Sequence, residues 1–254
     1  MAETARYVLE ARNISKRFGR VQAIEDITLA LGASEILALV GDNGAGKSTL
    51  IKIIAGALKK DSGEILVDGK PVELQDPMHA KSIGIEVVYQ DLSLINYLNV
   101  YQNLFLGREI QKRFGLLKIL DQKRMERESI EKLQTLGVKV KNCRDWVSRL
   151  SGGQRQSVAV AKAASFGKKI VILDEPTAAL GVEEAHHVLE IVRELKNRGA
   201  SVIIITHNME HAFSVADTFL VIRLGKVVGS RRKADTNIDE IVKMITGGVF
   251  IPRN

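Results

Sequence analysis

Short apolar runs of two kinds make up the first third of the chain. YVLEARNISKRF and VQAIEDITLAL are broken, partly alternating runs, a pattern typical of strands with one covered face. In EILVDGKPVEL, Asp68-Gly69 lies between two short runs and predicts a hairpin turn. EILALVG is apolar without alternation, which favours a strand covered on both faces, as in a parallel sheet.

The middle third, from about Asp91 to Ala164, has a helical pattern. Within it, DQKRMERESIEKLQTLG predicts a helix with Asp121 as N-cap and Gly137 just beyond its end. Its other positions are mostly charged, which indicates a solvated face. The apolar positions that recur at three-residue spacing on the predicted buried face are Ile130, Leu133 and Leu136.

Strands and helices alternate in the last third. KKIVILDE and SVIIITH are short buried runs separated by the helical stretch EEAHHVLEIVRELKNRG, while TFLVIRLGKVVG predicts a hairpin and IDEIVKMITGG a closing helix. This order implies an α/β fold with a parallel sheet and right-handed crossovers. We therefore expect one domain, 1–254, in which 1–90 and 165–254 form the core and 91–164 is an inserted helical subdomain.

The composition narrows the class of protein only a little. The chain has 254 residues, 45% of them hydrophobic, and a formal net charge of +7. A basic surface suits nucleic acid, anionic lipid or a polyanionic ligand, or is simply solvated. The one cysteine, Cys143, excludes a disulfide framework. There is no run of eighteen apolar residues and no apolar signal core, so any work at a membrane is expected to proceed through partners.

A phosphate-binding loop follows the continuously apolar run. GDNGAGKS fits the pattern G-x-x-x-x-G-K-[ST] between a predicted strand and a predicted helix, which is the context that this pattern requires. Its glycines allow backbone N–H groups to face phosphates, Lys47 can reach the β- and γ-phosphates, and Ser48 can bind Mg²⁺. The predicted nucleotide-binding residues of the loop are Gly41, Asp42, Asn43, Gly44, Ala45, Gly46, Lys47, Ser48 and Thr49.

Two carboxylates end the buried run in VILDEPT. Burying them is costly unless a cation is near, so Asp174 is a candidate Mg²⁺ ligand. Glu175 is the next residue along the predicted strand, and its side chain is expected on the other face of the sheet. From there we expect it to polarise the water that attacks the γ-phosphate.

A second glycine-containing motif, LSGGQ, precedes the small-residue helix VAVAKAA and offers N–H groups to an anion. Together with GDNGAGKST, Gln90, VILDEPT and His207, it gives the chain the motif order of ATP-binding-cassette (ABC) ATPases, which the sequence resembles along nearly its whole length. The resemblance implies a P-loop NTPase with a RecA-like parallel-sheet core, an N-terminal antiparallel β subdomain and an inserted α-helical lobe. ATP and Mg²⁺ are the implied cofactors.

The resemblance also assigns roles to single residues. In ABC proteins two cassettes pair head to tail, so one copy's signature turn would cap the γ-phosphate of the other. Phe18 would stack on adenine, Gln90 would contact Mg²⁺ and the attacking water, and His207 would contact the γ-phosphate. Gly181 departs from the aspartate usual in the family, which puts the coupling between the two sites in doubt. The residues expected to form the signature turn are Ser151, Gly152, Gly153 and Gln154.

Three stretches, VYQDLSLINYLNVYQNLFLGRE, PTAALGVEE and ITHNMEHAFSVADTFLVIRLGKVVG, most resemble ATPases of bacterial ribose, xylose or fructose importers. The implied partners are a second ATPase subunit, most simply another copy, membrane-spanning permease subunits and, indirectly, a periplasmic sugar-binding protein, with no direct nucleic acid. The implied location is the cytoplasmic face of the inner membrane. The tract Asn96 to Glu109 would lie at the groove for a permease helix. Its candidate contacts, which could equally be core residues, are Tyr97, Leu98, Val100 and Phe105.

Two alternatives remain open from the sequence. An importer ATPase for another small solute, such as an amino acid or nucleoside, would have the same motifs because the solute does not touch this subunit. A soluble ABC ATPase that acts on nucleic acid or ribosomes would fit the basic charge, but it usually carries two cassettes in one chain or a coiled-coil insertion.

Overall fold

A computed structural model describes residues 7–114, 117–166 and 169–248. The ends of the predicted domain, 1–6 and 249–254, lie outside this range. The strands are β1 (Tyr7–Phe18), β2 (Val21–Gly32), β3 (Ile36–Val40), β4 (Ser62–Val67), β5 (Lys70–Pro71), β6 (Ile85–Val88), β7 (Gln111–Phe114), β8 (Leu117–Leu120), β9 (Ile170–Asp174), β10 (Ser201–Ile205), β11 (Thr218–Arg223) and β12 (Lys226–Arg232). The helices are α1 (Lys47–Ile54), α2 (Pro77–Ser82), α3 (Val100–Leu104), α4 (Gln122–Thr135), α5 (Gly152–Phe166), α6 (Val182–Asn197), α7 (Met209–Val215) and α8 (Ile238–Thr246).

A six-stranded sheet in the order β12-β11-β3-β10-β9-β6 forms the centre of the fold. The five strands from β11 to β6 pair in parallel with their neighbours, and β12 adds an antiparallel edge strand. Every residue of Ile36–Val40 is buried, which explains why this run shows no alternation. The predicted α/β fold with a parallel sheet is confirmed.

Four other strands of the first third form a separate antiparallel sheet in the order β2-β1-β4-β5. The predicted hairpin turn at Asp68-Gly69 joins β4 to β5, and both residues have positive φ, of 54° and 71°. Two central residues with positive φ give a turn whose twist matches that of the flanking strands. The strand after the turn is short, only Lys70–Pro71.

Helix α4 lies in the inserted lobe, and its ends agree with the prediction. The Asp121 side chain accepts a hydrogen bond from the Arg124 N–H at 3.3 Å, and Gly137 has φ of 71°. The predicted buried face is partly wrong, because the Ile130 side chain is 39% exposed. At 3.6 residues per turn the buried stripe instead follows Met125, Ser129, Leu133 and Leu136.

A hairpin of β7 and β8 lies within the stretch for which we predicted helices throughout. Leu117, Ile119 and Leu120 are exposed on it, so little apolar surface supports these strands. Without a buried face there is no strong period-two pattern for sequence analysis to detect. The prediction of helix was wrong for 111–114 and 117–120.

Two hydrophobic clusters cover opposite faces of the central sheet. Ile36, Ala38 and Val40 pack toward the inserted lobe and α6, whereas Leu37 and Leu39 pack toward the antiparallel sheet and α1. The carboxyl ends of β3, β9 and β10 therefore open at an edge between the two layers. Ligands of open α/β sheets bind at such edges.

In the described part of the chain, no helix combines the length and the apolar composition that crossing a membrane requires.

Candidate nucleotide-binding site

The loop between β3 and α1 is fixed by close backbone contacts at two of its glycines. Gly41 has φ of 153°, and an added Cβ would overlap the Ile222 carbonyl oxygen. Gly46 has φ of 107°, and an added Cβ would lie 2.9 Å from the Ala23 carbonyl oxygen. Glycine is therefore required at both positions, and the loop it allows leads into the N-terminus of α1. Free N–H groups at a helix N-terminus favour an anion.

Lys47 is the first residue of α1 and is buried, with a relative exposure of 8%. Its Nζ donates hydrogen bonds to the carbonyl oxygens of Gly41 at 2.6 Å and Asp42 at 2.8 Å. Burial lowers the pKa of Lys47, and the carboxylates of Glu175 and Asp174 act in the opposite direction. Because the pKa is lowered on balance, an anionic ligand beside Nζ would stabilise the charged form of Lys47.

One cavity of about 370 Å³ brings most of the predicted residues together. Gly41 and Asp42 do not line it; their carbonyl oxygens hold Lys47. Ala23, Ala178 and Ile205 line it too and were not predicted, because small and aliphatic residues give no chemical signal. The predicted residues that line the cavity are Asn43, Gly44, Ala45, Gly46, Lys47, Ser48, Thr49, Gln90, Asp174, Glu175 and His207.

The two acidic residues at the end of β9, Asp174 and Glu175, face the same cavity, so the expected placement of Glu175 on the other face of the sheet is wrong. The strand ends at Asp174, and Glu175 has a left-handed backbone with φ of 51°. Side chains alternate between faces only while the backbone stays extended. Burial raises the pKa of Asp174, and the neighbouring Glu175 carboxylate raises it further.

His207 follows β10, whose last residue Ile205 pairs with Asp174 of β9. Its Nδ1 lies 2.9 Å from Oε1 of Glu175. A carboxylate can only accept, so Nδ1–H donates this hydrogen bond. The other oxygen, Oε2 of Glu175, is buried and has no hydrogen-bond partner in the part of the chain that the structure describes.

The donors around the cavity suit Mg²⁺. This ion usually takes one or two carboxylates, keeps several waters and uses substrate phosphates for the rest. Ser48, Gln90 and Asp174 line this cavity and offer a hydroxyl, an amide oxygen and a carboxylate. The described residues contain no cluster of three or more side chains of His, Cys, Asp or Glu that could hold a metal alone. The residues therefore fit a cation that arrives with a polyphosphate.

The signature turn, Ser151 to Gln154, does not line this cavity. It begins α5 with reciprocal hydrogen bonds: the Ser151 hydroxyl accepts from the Gln154 N–H at 3.2 Å, and Oε1 of Gln154 accepts from the Ser151 N–H at 3.0 Å. Glu184 of α6 accepts from the Ser151 hydroxyl at 3.3 Å. The sequence analysis missed Glu184, because one acidic residue in the first turn of a helix is common.

Phe18, at the end of β1, is 48% exposed and does not line the cavity, so it is not a core residue. Lys16 Nζ lies 5.8 Å from the centre of its ring. In the tract 96–109, Val100 and Phe105 are buried in the core, whereas Tyr97 is 78% exposed.

The parallel sheet, the phosphate-binding loop and the acidic strand end define a nucleotide-binding P-loop protein. Residues 24–178 match the family described as ABC transporter. The chain belongs to this family.

Relatives of known name match over nearly the full length. The chain is 46% identical to the fructose import ATP-binding protein FrcA of Rhizobium meliloti, over 97% of this chain and 96% of that protein. It is 45% identical to the xylose/arabinose import ATP-binding protein XylG of Sulfolobus acidocaldarius, over 94% of each. A solved ATP-binding cassette of an ABC transporter in its ADP conformation matches with a TM-score of 0.79 and 25% identity, over 94% of this chain and 95% of that one.

Proposed function

We propose that this chain is the ATP-hydrolysing subunit of an ABC importer that powers uptake of a simple sugar across the bacterial inner membrane. The observation that carries the proposal is the match, over at least 94% of both chains, to two proteins named as sugar import ATP-binding proteins. The cavity supports ATP hydrolysis as the reaction, because it is lined by the kinds of side chain that a phosphoryl-transfer site uses.

In the proposed reaction, Lys47 and the loop N–H groups bind the phosphates of ATP, and Phe18 stacks on the base. Ser48, Gln90 and Asp174 would hold Mg²⁺, which would offset negative charge on the phosphates. Glu175 orients the attacking water, and Nδ1 of His207 holds Oε1 of Glu175 in place. Positioning and electrostatics carry such reactions, so small displacements of these groups are costly.

The proposed assembly is a head-to-tail pair of copies. The signature turn from Ser151 to Gln154 lies outside the cavity of its own chain, as expected if it acts on nucleotide held by the other copy. ATP would join the two copies, and hydrolysis would remove the contacts that favour the closed pair.

The proposed permease contact is an apolar groove of about 440 Å³ between α2, β6 and α5. Ala80, Val87, Leu92 and Ala163 are among the residues that line it, and the tract 96–109 does not. Burial lowers the pKa of Lys162 at this groove. The relatives' names as import ATP-binding proteins support a peripheral location on the cytoplasmic face of the membrane, with permease subunits and, indirectly, a periplasmic sugar-binding protein as partners.

Uptake of labelled pentoses and hexoses tests the proposal in cells that lack this gene. The cells are complemented with the wild-type chain or with Glu175→Gln, and phosphate release from the purified chains is measured in parallel. We expect uptake of one or a few sugars with the wild type alone, and hydrolysis at least a hundredfold slower in the variant.

Two other outcomes would redirect the assignment. Normal ATP hydrolysis with no sugar uptake would refute the sugar and favour an importer of another solute, such as an amino acid, or a soluble role. Hydrolysis at the wild-type rate by Glu175→Gln would refute the catalytic role of Glu175.

A further inference from the structure

Glu184, in the first turn of α6, connects the N-termini of two helices outside the nucleotide cavity. Its Oε2 accepts a hydrogen bond from the Gly181 N–H at 3.3 Å, and its Oε1 accepts from the Ser151 hydroxyl at 3.3 Å. Gly181 is the N-cap of α6 and has no side chain with which to cap the helix. A single carboxylate thus joins the turn before α6 to the turn that begins α5.

The Glu184 side chain also packs directly against the signature turn. A Cβ added at Gly153 would lie 2.7 to 2.8 Å from Cβ, Cγ and Cδ of Glu184, which is too close for a side chain at that position. The glycine at 153 therefore makes room for Glu184. This contact places the carboxylate beside Ser151.

The hydroxyl of Ser151 has one hydrogen, and the surrounding bonds determine where it points. The oxygen accepts from the Gln154 N–H at 3.2 Å, so its hydrogen is free to be donated elsewhere, and Oε1 of Glu184 accepts it. A phosphate that binds at this turn needs the same hydrogen, because phosphate oxygens are acceptors. Glu184 and an incoming phosphate therefore compete for Ser151.

We propose that Glu184 is a positioning residue that holds the Ser151 hydroxyl in the separated chain and is displaced by the γ-phosphate of ATP bound to a second copy; this rests on the head-to-tail pairing proposed above. The carboxylate also places a negative charge beside the incoming phosphate, which opposes closure. Glu184 thereby raises the ATP concentration at which two copies pair.

The test uses the full chain with Glu175→Gln, in which slow hydrolysis lets the pair accumulate. Mg-ATP is titrated, and the dimer fraction is measured by size-exclusion chromatography with light scattering. Glu184→Gln is compared with Glu183→Gln, which removes the same charge from the same helical turn. Glutamine at 184 keeps an oxygen that can accept from the Gly181 N–H, so the start of α6 is preserved.

A hydrogen bond to a charged acceptor is about twice as strong as one to a neutral acceptor, so Glu184→Gln should lower the half-saturating ATP concentration about fivefold. Glu183→Gln should leave it unchanged. In a chain that keeps the native Glu175, Glu184→Gln should also lower the KM for ATP, and it should change kcat less. A purely structural role would have the opposite sign, because a loosened turn weakens pairing.

Each outcome separates the two proposals. The role of Glu184 alone is overturned if the parent pairs but Glu184→Gln and Glu183→Gln have the same half-saturating ATP concentration. A higher half-saturating ATP concentration for Glu184→Gln overturns it too. Failure of the Glu175→Gln parent to pair with Mg-ATP overturns the head-to-tail proposal, and the role of Glu184 with it. Thermal melting of each variant without nucleotide checks that the chains compared are folded.

Discussion

Alanine at Gly46 should destabilise the nucleotide-free chain much more than alanine at Gly44 in the same loop. Gly46 has φ of 107°, and an added Cβ would lie 2.9 Å from the Ala23 carbonyl oxygen and overlap the Ile24 side chain. A left-handed backbone costs a residue with a Cβ on the order of 1–3 kcal/mol, and overpacking adds about 1–3 kcal/mol. The expected loss in the free energy of unfolding is therefore about 4 kcal/mol.

Gly44 is the matched control. Its φ is 80°, but no other atom lies within 4 Å of an added Cβ. Only the backbone cost remains, about 2 kcal/mol. The difference of about 2 kcal/mol corresponds to a Tm about 4–8 °C lower for Gly46→Ala than for Gly44→Ala in a chain of this size.

Circular dichroism melts of both variants without nucleotide measure this difference directly. Leaving nucleotide out matters, because either substitution can also disturb phosphate binding. Equal Tm values would refute the reasoning, since they would mean that the loop does not press against Ala23 and Ile24. A lower Tm for Gly44→Ala would show that backbone strain rather than packing decides the stability of the loop.

Three further predictions concern Asp174, His207 and Cys143. Asp174→Asn should raise the Tm of the nucleotide-free chain by a few degrees, on the order of 1 kcal/mol, because burial and Glu175 disfavour the charge of Asp174. The same substitution should abolish Mg²⁺-dependent phosphate release. A lower Tm would contradict this reasoning. His207→Ala should slow hydrolysis about a hundredfold with ATP binding largely kept, as measured by phosphate release and by fluorescence of a nucleotide analogue; loss of binding would assign His207 a different role. Burial raises the pKa of Cys143 to about 11, so iodoacetamide should label it at pH 8 about a hundredfold more slowly than in the urea-unfolded chain. The folded chain holds the Cys143 proton more tightly than the unfolded chain does. The contribution of Cys143 to the free energy of unfolding should therefore fall as the pH rises from about 9 through 11.

The fold was predictable where burial imposes a clear pattern. Ile36–Val40 is buried throughout, and its apolar run predicted a central parallel strand. Asp68-Gly69 predicted the hairpin because both residues tolerate the positive φ that the turn requires. The hairpin of β7 and β8 was not predictable in the same way, since the described side chains of its strands are exposed and impose no burial pattern on the sequence.

The chemistry of the cavity was predictable and its geometry was not. Lys47, Asp174 and His207 stand out because their residue types follow strands in a known order. The placement of Glu175 could not be inferred from the sequence. An extended backbone would direct its side chain away from the cavity, but its left-handed backbone turns the side chain toward it. Backbone angles at a strand end depend on tertiary contacts, here on the Glu175 N–H donating to the Ile205 carbonyl oxygen.

In the separated chain, two groups proposed to bind phosphate are already held by partners of the same chain. Nζ of Lys47 donates to two loop carbonyl oxygens, and the Ser151 hydroxyl donates to Glu184. ATP must therefore exchange existing hydrogen bonds for new ones, and the net gain per bond is small compared with the strength of each bond. Such an exchange suits a reaction in which nucleotide must bind, join two copies and then release them, because it limits how tightly the closed state is held. If Glu184 carries this role at the signature turn, removing its charge should make ATP join the two copies more tightly and slow their separation after hydrolysis.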